Sequence, residues 1–332
     1  MKILYITSIT EDYVSDCFLI GLKQLPNVSV LEYPQNFYIY QSQELEKNKG
    51  IIRGNGFTLY NLLKKNDPEN PIEILKTFDI IVFSSIHRQY GIFLQFYPHL
   101  NFNNTIICDG EDGPHLFPYH GFFLRKPYFW FFPRPHKKFL YFKREWQHTD
   151  MLYYRYYKLI PKFICKYLPS FKNLRTISFS IPEEKILRGV PVKTKLFPKH
   201  IVDEEIISHI EGSFSSYAFA DEADYYQDLQ ASKFGITTKR AGWDCLRHYE
   251  IAANGAVICF KDLDKKPLSC APHGLIDGVN CISYTSYSNL INKIEVLTPQ
   301  AYTVLLDNTK SWILQNTCAF QAKTALEMLY SS

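Results

Sequence analysis

The sequence predicts an α/β protein of two domains, each built on a parallel sheet, with the two sheets facing a common cleft. Three observations carry this. Short apolar runs alternate with stretches of helical spacing along the chain, the pattern of strands joined by crossover helices. The 332 residues leave room for two cores of roughly 150 residues each. The composition, 46% hydrophobic and 21% charged, is that of a folded globular protein.

Residues 2–6 read as an apolar strand, 7–12 as a polar turn and 13–25 as a helix, which is the opening of a Rossmann-like unit. The turn is TSITED and lacks the G-x-G-x-x-G of a dinucleotide-binding oxidoreductase. Residues 28–33 read as the second strand, 57–65 as a helix, 78–84 as the third strand and 104–108 as the fourth. In such sheets reactive groups gather beyond the C-terminal strand ends. There the fourth strand delivers Asp109, Glu111 and Asp112 on a glycine-containing turn. Carboxylates packed this closely repel one another, which raises the pKa of at least one, as a general base would require. The alternative is a solvated turn whose Asp and Gly serve backbone geometry.

The N-terminal MKILYITSI lacks the layout of a signal peptide, so a cytoplasmic protein is expected. Eight cysteines are scattered without a C-x-x-C pair and several fall in apolar runs, which suggests reduced core thiols and neither a disulfide framework nor a zinc site. From residue 125 to 175 the composition shifts to 13 Lys and Arg against two acids, a net of +11, with 16 of the 53 aromatic residues. The whole chain is +4, so the remainder sums to −7. Cations interleaved with rings over 117–172 suit an anionic membrane surface, where each cation contributes about 1 kcal/mol. A plain solvated interdomain surface is the competing reading, and nucleic acid ranks last because no recognised nucleic-acid module accompanies the patch. Lys143, Arg144 and Glu145 follow a strand-like run and are expected at the cleft.

The boundary falls near Ile181-Pro182, giving an acceptor-side domain over 1–175 and a donor domain over 176–332. In the second half, 193–198 reads as a strand, 204–211 as a short helix, 221–230 as a helix and 235–238 as a strand. Residues 290–297 and 299–330 close the chain as helices, with Trp312, Phe320 and Met328 read as core. The stretch 239–260, KRAGWDCLRHYEIAANGAVICF, organises this half. Lys239, Arg240, Gly242 and Trp243 form a basic turn at a helix N-terminus, where free N–H groups and the helix dipole favour an anion such as a diphosphate. Arg247 and Glu250 lie three apart on one helical face. An Arg that grips phosphate beside a carboxylate that accepts ribose hydroxyls suits a nucleoside diphosphate; a surface ion pair is the bland alternative. His273 and Asn280, in the turns 271–274 and 277–280, are further donor contacts, with a loop-internal hydrogen bond the equal alternative for His273.

The spacing Gly242, Arg247, Glu250, Gly255 and then an apolar strand resembles the donor-site segment of GT-B glycosyltransferases, two-domain Rossmann-like enzymes. The version with Arg before the acid looks most like the exostosin-related and spore-coat-protein-like branches. The resemblance implies that Arg247 touches the donor diphosphate and Glu250 the ribose. It departs from the retaining glycogen-synthase-like branch, which carries a second Glu where this chain has Gly242, and so favours inversion. Glu111-Asp112-Gly113 resembles the acidic motif of bacterial sialyltransferases, although their His-Pro dipeptide does not occur here. That likeness puts Asp112 first as base; Asp109, nearest the strand end, comes next and Glu111 last.

The expected function is transfer of a sugar from a nucleotide-activated donor to a glycan or lipid-linked glycan. The cations take the part of a metal, so neither metal nor cofactor is expected beyond the nucleotide-sugar co-substrate. A non-catalytic two-domain protein that binds nucleotide or glycan is the alternative. The protein is expected in the cytoplasm, peripheral on the inner face of a membrane if the basic segment docks there.

Overall fold

The computed structural model describes residues 1–8, 10–42, 50, 52–64, 77–118, 131–156, 158–169, 171–216 and 219–331. Residues 119–130 of the basic aromatic segment and Lys65, at the end of one expected helix, lie outside these.

The N-terminal half holds a six-stranded parallel sheet of β1 (Lys2–Ile6), β2 (Ser29–Tyr33), β3 (Ile80–Phe83), β4 (Thr105–Asp109), β5 (Leu140–Lys143) and β6 (Leu174–Thr176), in the order β2-β1-β3-β4-β5-β6. The central strands are largely apolar because both faces are covered. One face, with Leu4, Ile6, Ile81, Phe83 and Ile107, packs under α2 (Ile86–Phe96) and α3 (His148–Arg155). The other, with Ile3, Tyr5, Val82, Ile106 and Cys108, packs under α1 (Tyr13–Gln24), whose start is capped by Asp12 accepting from the Ser15 N–H.

The C-terminal half holds the parallel sheet β7 (Phe234–Thr237), β8 (Val257–Lys261) and β9 (Cys281–Tyr284), in that order. Residues 193–198, expected as a strand, make one bridge, Lys195 to Ser232, alongside β7. Around the sheet lie α4 (Glu222–Ala231), α5 (Leu246–Ala253), α6 (Tyr287–Glu295) and α7 (Pro299–Leu314). The expected helix over 204–211 is a single turn, Glu204–Ile207.

Two expectations need correction. Residues 57–64 are not helical: Thr58 and Asn61 hold positive φ, as do Gly54, Asn55 and Gly56 just before them, and a right-handed helix does not accommodate this. The closing helix is two helices, because Thr317 starts α8 (Cys318–Tyr330) by accepting from the Phe320 N–H. Between them the chain returns to the first half, where Thr317 pairs with Ile181 and α8 lies along α1. A Cβ at Gly21 would stand 2.0 Å from the Cys318 carbonyl oxygen, so glycine sets how closely these helices approach. The core under α1 thereby continues through α8 into Tyr249, Ile258 and Phe260 of the second half.

Candidate active site

The acidic turn after β4 separates into three different environments. Asp109 ends β4 directly opposite Lys143 of β5, and both are fully buried. Lys143 Nζ donates to Asp109 Oδ1 at 2.7 Å, the Tyr141 hydroxyl donates to Oδ2, and His87 Nε2 lies 3.2 Å from it. Burial alone would raise the Asp109 pKa, but Lys143 and then His87 outweigh it and hold the carboxyl below the usual range. Asp109, offered by the sequence as a candidate base, is thus a fully buried ion-pair partner of Lys143. Glu111 is partly exposed, and its backbone N–H donates to Asp109 Oδ1 at 3.2 Å. Asp112, its side chain 49% exposed, is ion-paired with Arg144.

Arg144 and Glu145 do face the cleft between the halves. Arg144 Nε donates to the Gly110 carbonyl at 3.1 Å, and Nη1 to Glu145 Oε1 at 3.0 Å and to the Asp244 carbonyl at 3.3 Å. Its guanidinium lies 4.6 Å over the Phe179 ring. Glu145 Oε1 also accepts from the Asp244 N–H at 2.8 Å. Burial pushes Asp244 up to about 6 against the opposing pull of Arg144. A Cβ at Gly242 would meet Glu145 Oε1 at 2.5 Å and Asp112 Oδ1 at 2.8 Å. The absent side chain is what lets the basic turn of one half close on the acidic turn of the other.

That basic turn is braced from below. His248 is buried at the start of α5; its Nδ1 pairs with Thr237 Oγ1 and its Nε2 with the Trp243 carbonyl, each at 3.0 Å. The carbonyl needs a donor, so Nε2 carries the hydrogen and Nδ1 accepts from the hydroxyl. Burial, the largest influence, pushes His248 down to about 3 and keeps it neutral, as these bonds require. The Arg240 N–H closes on the Gly242 carbonyl at 3.0 Å, leaving the Lys239 and Arg240 side chains exposed, with Lys239 Nζ 5.1 Å from the Trp243 ring. Arg247 Nη2 donates to His200 Nε2 at 3.1 Å, and the other nitrogen of His200 bonds the Ser216 carbonyl at 2.9 Å. Burial and then Arg247 push His200 down to about 4, consistent with an accepting Nε2.

Glu250 is buried, and its carboxylate accepts from Thr58 Oγ1 at 2.5 Å and from the Tyr225 hydroxyl at 2.9 Å. Burial is the main cause of its raised pKa. Thr58 reaches across from the N-terminal half at φ 71°, an uncommon conformation for a β-branched residue. Its segment is anchored there by Asn55 donating to the Phe219 carbonyl at 2.9 Å and by Phe57 stacked on Tyr225. The expected contacts His273 and Asn280 lie elsewhere. Asn280 spends its amide inside its own loop, on the Ile276 N–H and the Gly274 carbonyl, both at 2.8 Å. His273 lines a cavity of ≈ 170 Å³ with Phe142, Ile177, Phe320 and Gln321, where the chain crosses between the halves. A larger cavity, ≈ 800 Å³, opens beyond the C-terminal ends of β1 and β3.

The six-strand sheet, the second parallel sheet and the cleft between their turns allow comparison with known folds. The sequence matches no family model and no curated protein. The structure is similar to a glycosyltransferase from Rickettsia africae ESF-5, with TM-score 0.55 and 11% identity over 99% of this chain and 98% of that one. It is similar also to Anabaena Alr3699/HepE in complex with UDP-glucose, with TM-score 0.51 and 12% identity over the whole of both chains. The fold is of the GT-B type. This agrees with the fold class read from the sequence, and the likeness covers both chains almost from end to end. Among the described residues no group of three His, Cys, Asp or Glu side chains is placed to hold a metal, and no helix is long and apolar enough to cross a membrane.

Proposed function

We propose that the protein transfers a sugar from a nucleotide-activated donor to a hydroxyl of a glycan or lipid-linked glycan. The observation that carries this is the closure of the basic turn 239–243, at the start of α5, onto the acidic turn holding Asp112. Donor and acceptor would meet where these turns touch, and the similar HepE structure holds UDP-glucose. In this reading Arg247, Lys239 and Arg240 hold the diphosphate and stabilise the charge that develops as the bond from the anomeric carbon to the phosphate oxygen breaks. Asp112 accepts the proton of the attacking hydroxyl, and Arg144 holds it in place. One displacement by that hydroxyl inverts the anomeric centre, and the cations serve without a metal. A ribose held by Glu250 takes the place of the Thr58 hydroxyl, so donor entry displaces the segment around residue 58. Trp243 flanks the bound donor.

The test is thermal unfolding with UDP, UDP-glucose and a panel of other nucleoside diphosphates. A ligand at 100 times its dissociation constant adds about 2.7 kcal/mol, a shift of several degrees. Arg247→Ala should abolish most of that shift in a folded protein, because it removes a charge-assisted phosphate contact. No shift with any nucleotide would sink the reading, and a shift without transfer would favour a non-catalytic binding protein.

The acceptor side also bears on location. In the described part of the basic segment Leu159, Phe163 and Tyr167 point outward beside Lys158 and Lys166. This arrangement suits the headgroup layer of an anionic membrane, where a lipid-linked acceptor would be found. Co-sedimentation with phosphatidylglycerol vesicles should be strong at low salt and lost at high salt; binding indifferent to lipid charge would leave the segment a solvated surface.

A further inference from the structure

The cavity beyond β1 and β3 occupies the point where the sheet order reverses, β2-β1-β3, so that the chain leaves neighbouring strands in opposite directions and opens a crevice. Its wall carries Ser8, Thr10, Glu11, Arg53, Arg88 and Gln89. Gln89 is committed to the wall itself: its amide donates to the Ile6 carbonyl at 2.8 Å and to Ser84 Oγ at 3.0 Å. Arg88 is committed by one nitrogen. Its Nη1 donates to Thr10 Oγ1 and to the Glu11 carbonyl, each at 2.8 Å, and lies 3.7 Å from Asp12 Oδ2. Among the described residues its Nε and Nη2 make no hydrogen bond, so the guanidinium is fixed in direction with one two-donor edge available.

Arg53 reaches the same cavity from the segment that carries Thr58. Its Nε is 3.9 Å from Glu11 Oε2, its backbone N–H donates to that oxygen at 3.1 Å, and its side chain is 70% exposed. The site therefore sets two guanidinium groups beside the Glu11 carboxylate, with Asp12 near the committed nitrogen of Arg88 and the Ser8 and Thr10 hydroxyls, 2.8 Å apart, alongside. A fixed guanidinium edge presents two parallel N–H groups that match the paired oxygens of a phosphate or carboxylate, whereas an ammonium would act as a point charge. The hydroxyls and Glu11 match the hydroxyls of a sugar.

We infer that this cavity binds an acceptor bearing an anionic group, a phosphate ester or a uronate carboxylate, gripped by Arg88 and steered by Arg53. The word acceptor rests on the proposed sugar transfer; the anion site does not, and the experiment separates them. Glucose 6-phosphate, glucuronate and glucose are titrated calorimetrically into the full chain carrying Arg247→Ala, at fixed ionic strength, so that the donor turn contributes little. One or both anionic sugars should bind at least about ten-fold more tightly than glucose. The phosphate and carboxylate arms show which anion is preferred.

Arg88→Lys keeps the charge without the two-donor edge and should lose most of the preference. It also alters bonds to Thr10 and Glu11, so Arg53→Gln, at an exposed side chain, provides the second test and should lower the preference about three-fold. Glucose binding as tightly as both anions, or a preference unchanged in both variants, overturns the inference. Either result leaves the nucleotide-dependent melting shift of the Arg247-containing protein untouched, and that shift decides the donor reading by itself.

Discussion

Asp112→Asn should retain the nucleotide-dependent melting shift and lose transfer by about 10²- to 10⁴-fold, the usual worth of general-base catalysis. Among the three acids of the turn, Asp112 alone is shown both at the cleft and against the basic turn: half-exposed, paired with Arg144 and abutting Gly242. The amide keeps the size of the side chain and an oxygen that can accept from Arg144, so the turn should hold its shape while the proton acceptor is gone. Glu111→Gln should remain within a few-fold of wild type, because that side chain is not shown against the basic turn. Turnover at saturating donor, per folded molecule, is the measurement. If Asp112→Asn also stays within a few-fold, the base lies elsewhere, and Glu11 in the larger cavity is the next residue to substitute.

The three acids look equivalent in the sequence because their difference comes from β5. Nothing near residue 109 announces that Lys143 and Tyr141, more than thirty positions later, lie against it in the sheet. The same limit explains Glu250. Its place on one face of α5 with Arg247 follows from helical spacing, but the partner that holds it, Thr58, is 192 residues away. Local signals did better where local chemistry decides the outcome: the basic turn, the helix after it and the glycine are where their residue types place them. Gly242 nevertheless serves a purpose not read from the sequence, since it admits the carboxylates of the other half. For Asn280, a turn signal cannot show whether an amide points outward or, as here, ties its own loop.

Most strands were legible because a sheet covered on both faces requires unbroken apolar runs, and these are visible without tertiary information. The errors fell where long-range pairing overrides local pattern. Leu59, Tyr60, Leu62 and Leu63 have helix-like spacing, yet the segment adopts a chain of turns that brings Phe57 to Tyr225 and Thr58 to Glu250. The break between α7 and α8 was equally hidden, since the Thr317 cap and its pairing with Ile181 depend on the chain crossing back to the first half.

Lys143→Met is expected to cost about 3–5 kcal/mol, the penalty for removing one partner of a buried ion pair. The side chains of Lys143 and Asp109 are both 0% exposed, and the ammonium also donates to the Glu111 carbonyl at 2.9 Å. Methionine fills similar volume but leaves Asp109 with only the Tyr141 hydroxyl, His87 and the Glu111 N–H to offset its burial. Because Asp109 titrates lower in the folded chain than in the unfolded one, the stability it contributes is present above its unfolded pKa of about 3.9 and is lost as pH falls through its folded value. In the variant that depression should shrink, so the stability gap between wild type and variant should be widest near neutral pH and narrow as pH falls below about 3.9. Adding Asp109→Asn to Lys143→Met should restore part of the loss, since an uncompensated charge is then no longer buried. Urea unfolding followed by circular dichroism reads all three variants, and a Lys143→Met protein within 1 kcal/mol of wild type would refute the assignment. Asp109→Asn alone should likewise lower stability, reducing turnover only through the folded fraction, whereas Asp112→Asn reduces turnover in molecules that remain folded. That contrast distinguishes the acid that holds the turn from the acid proposed to take the proton.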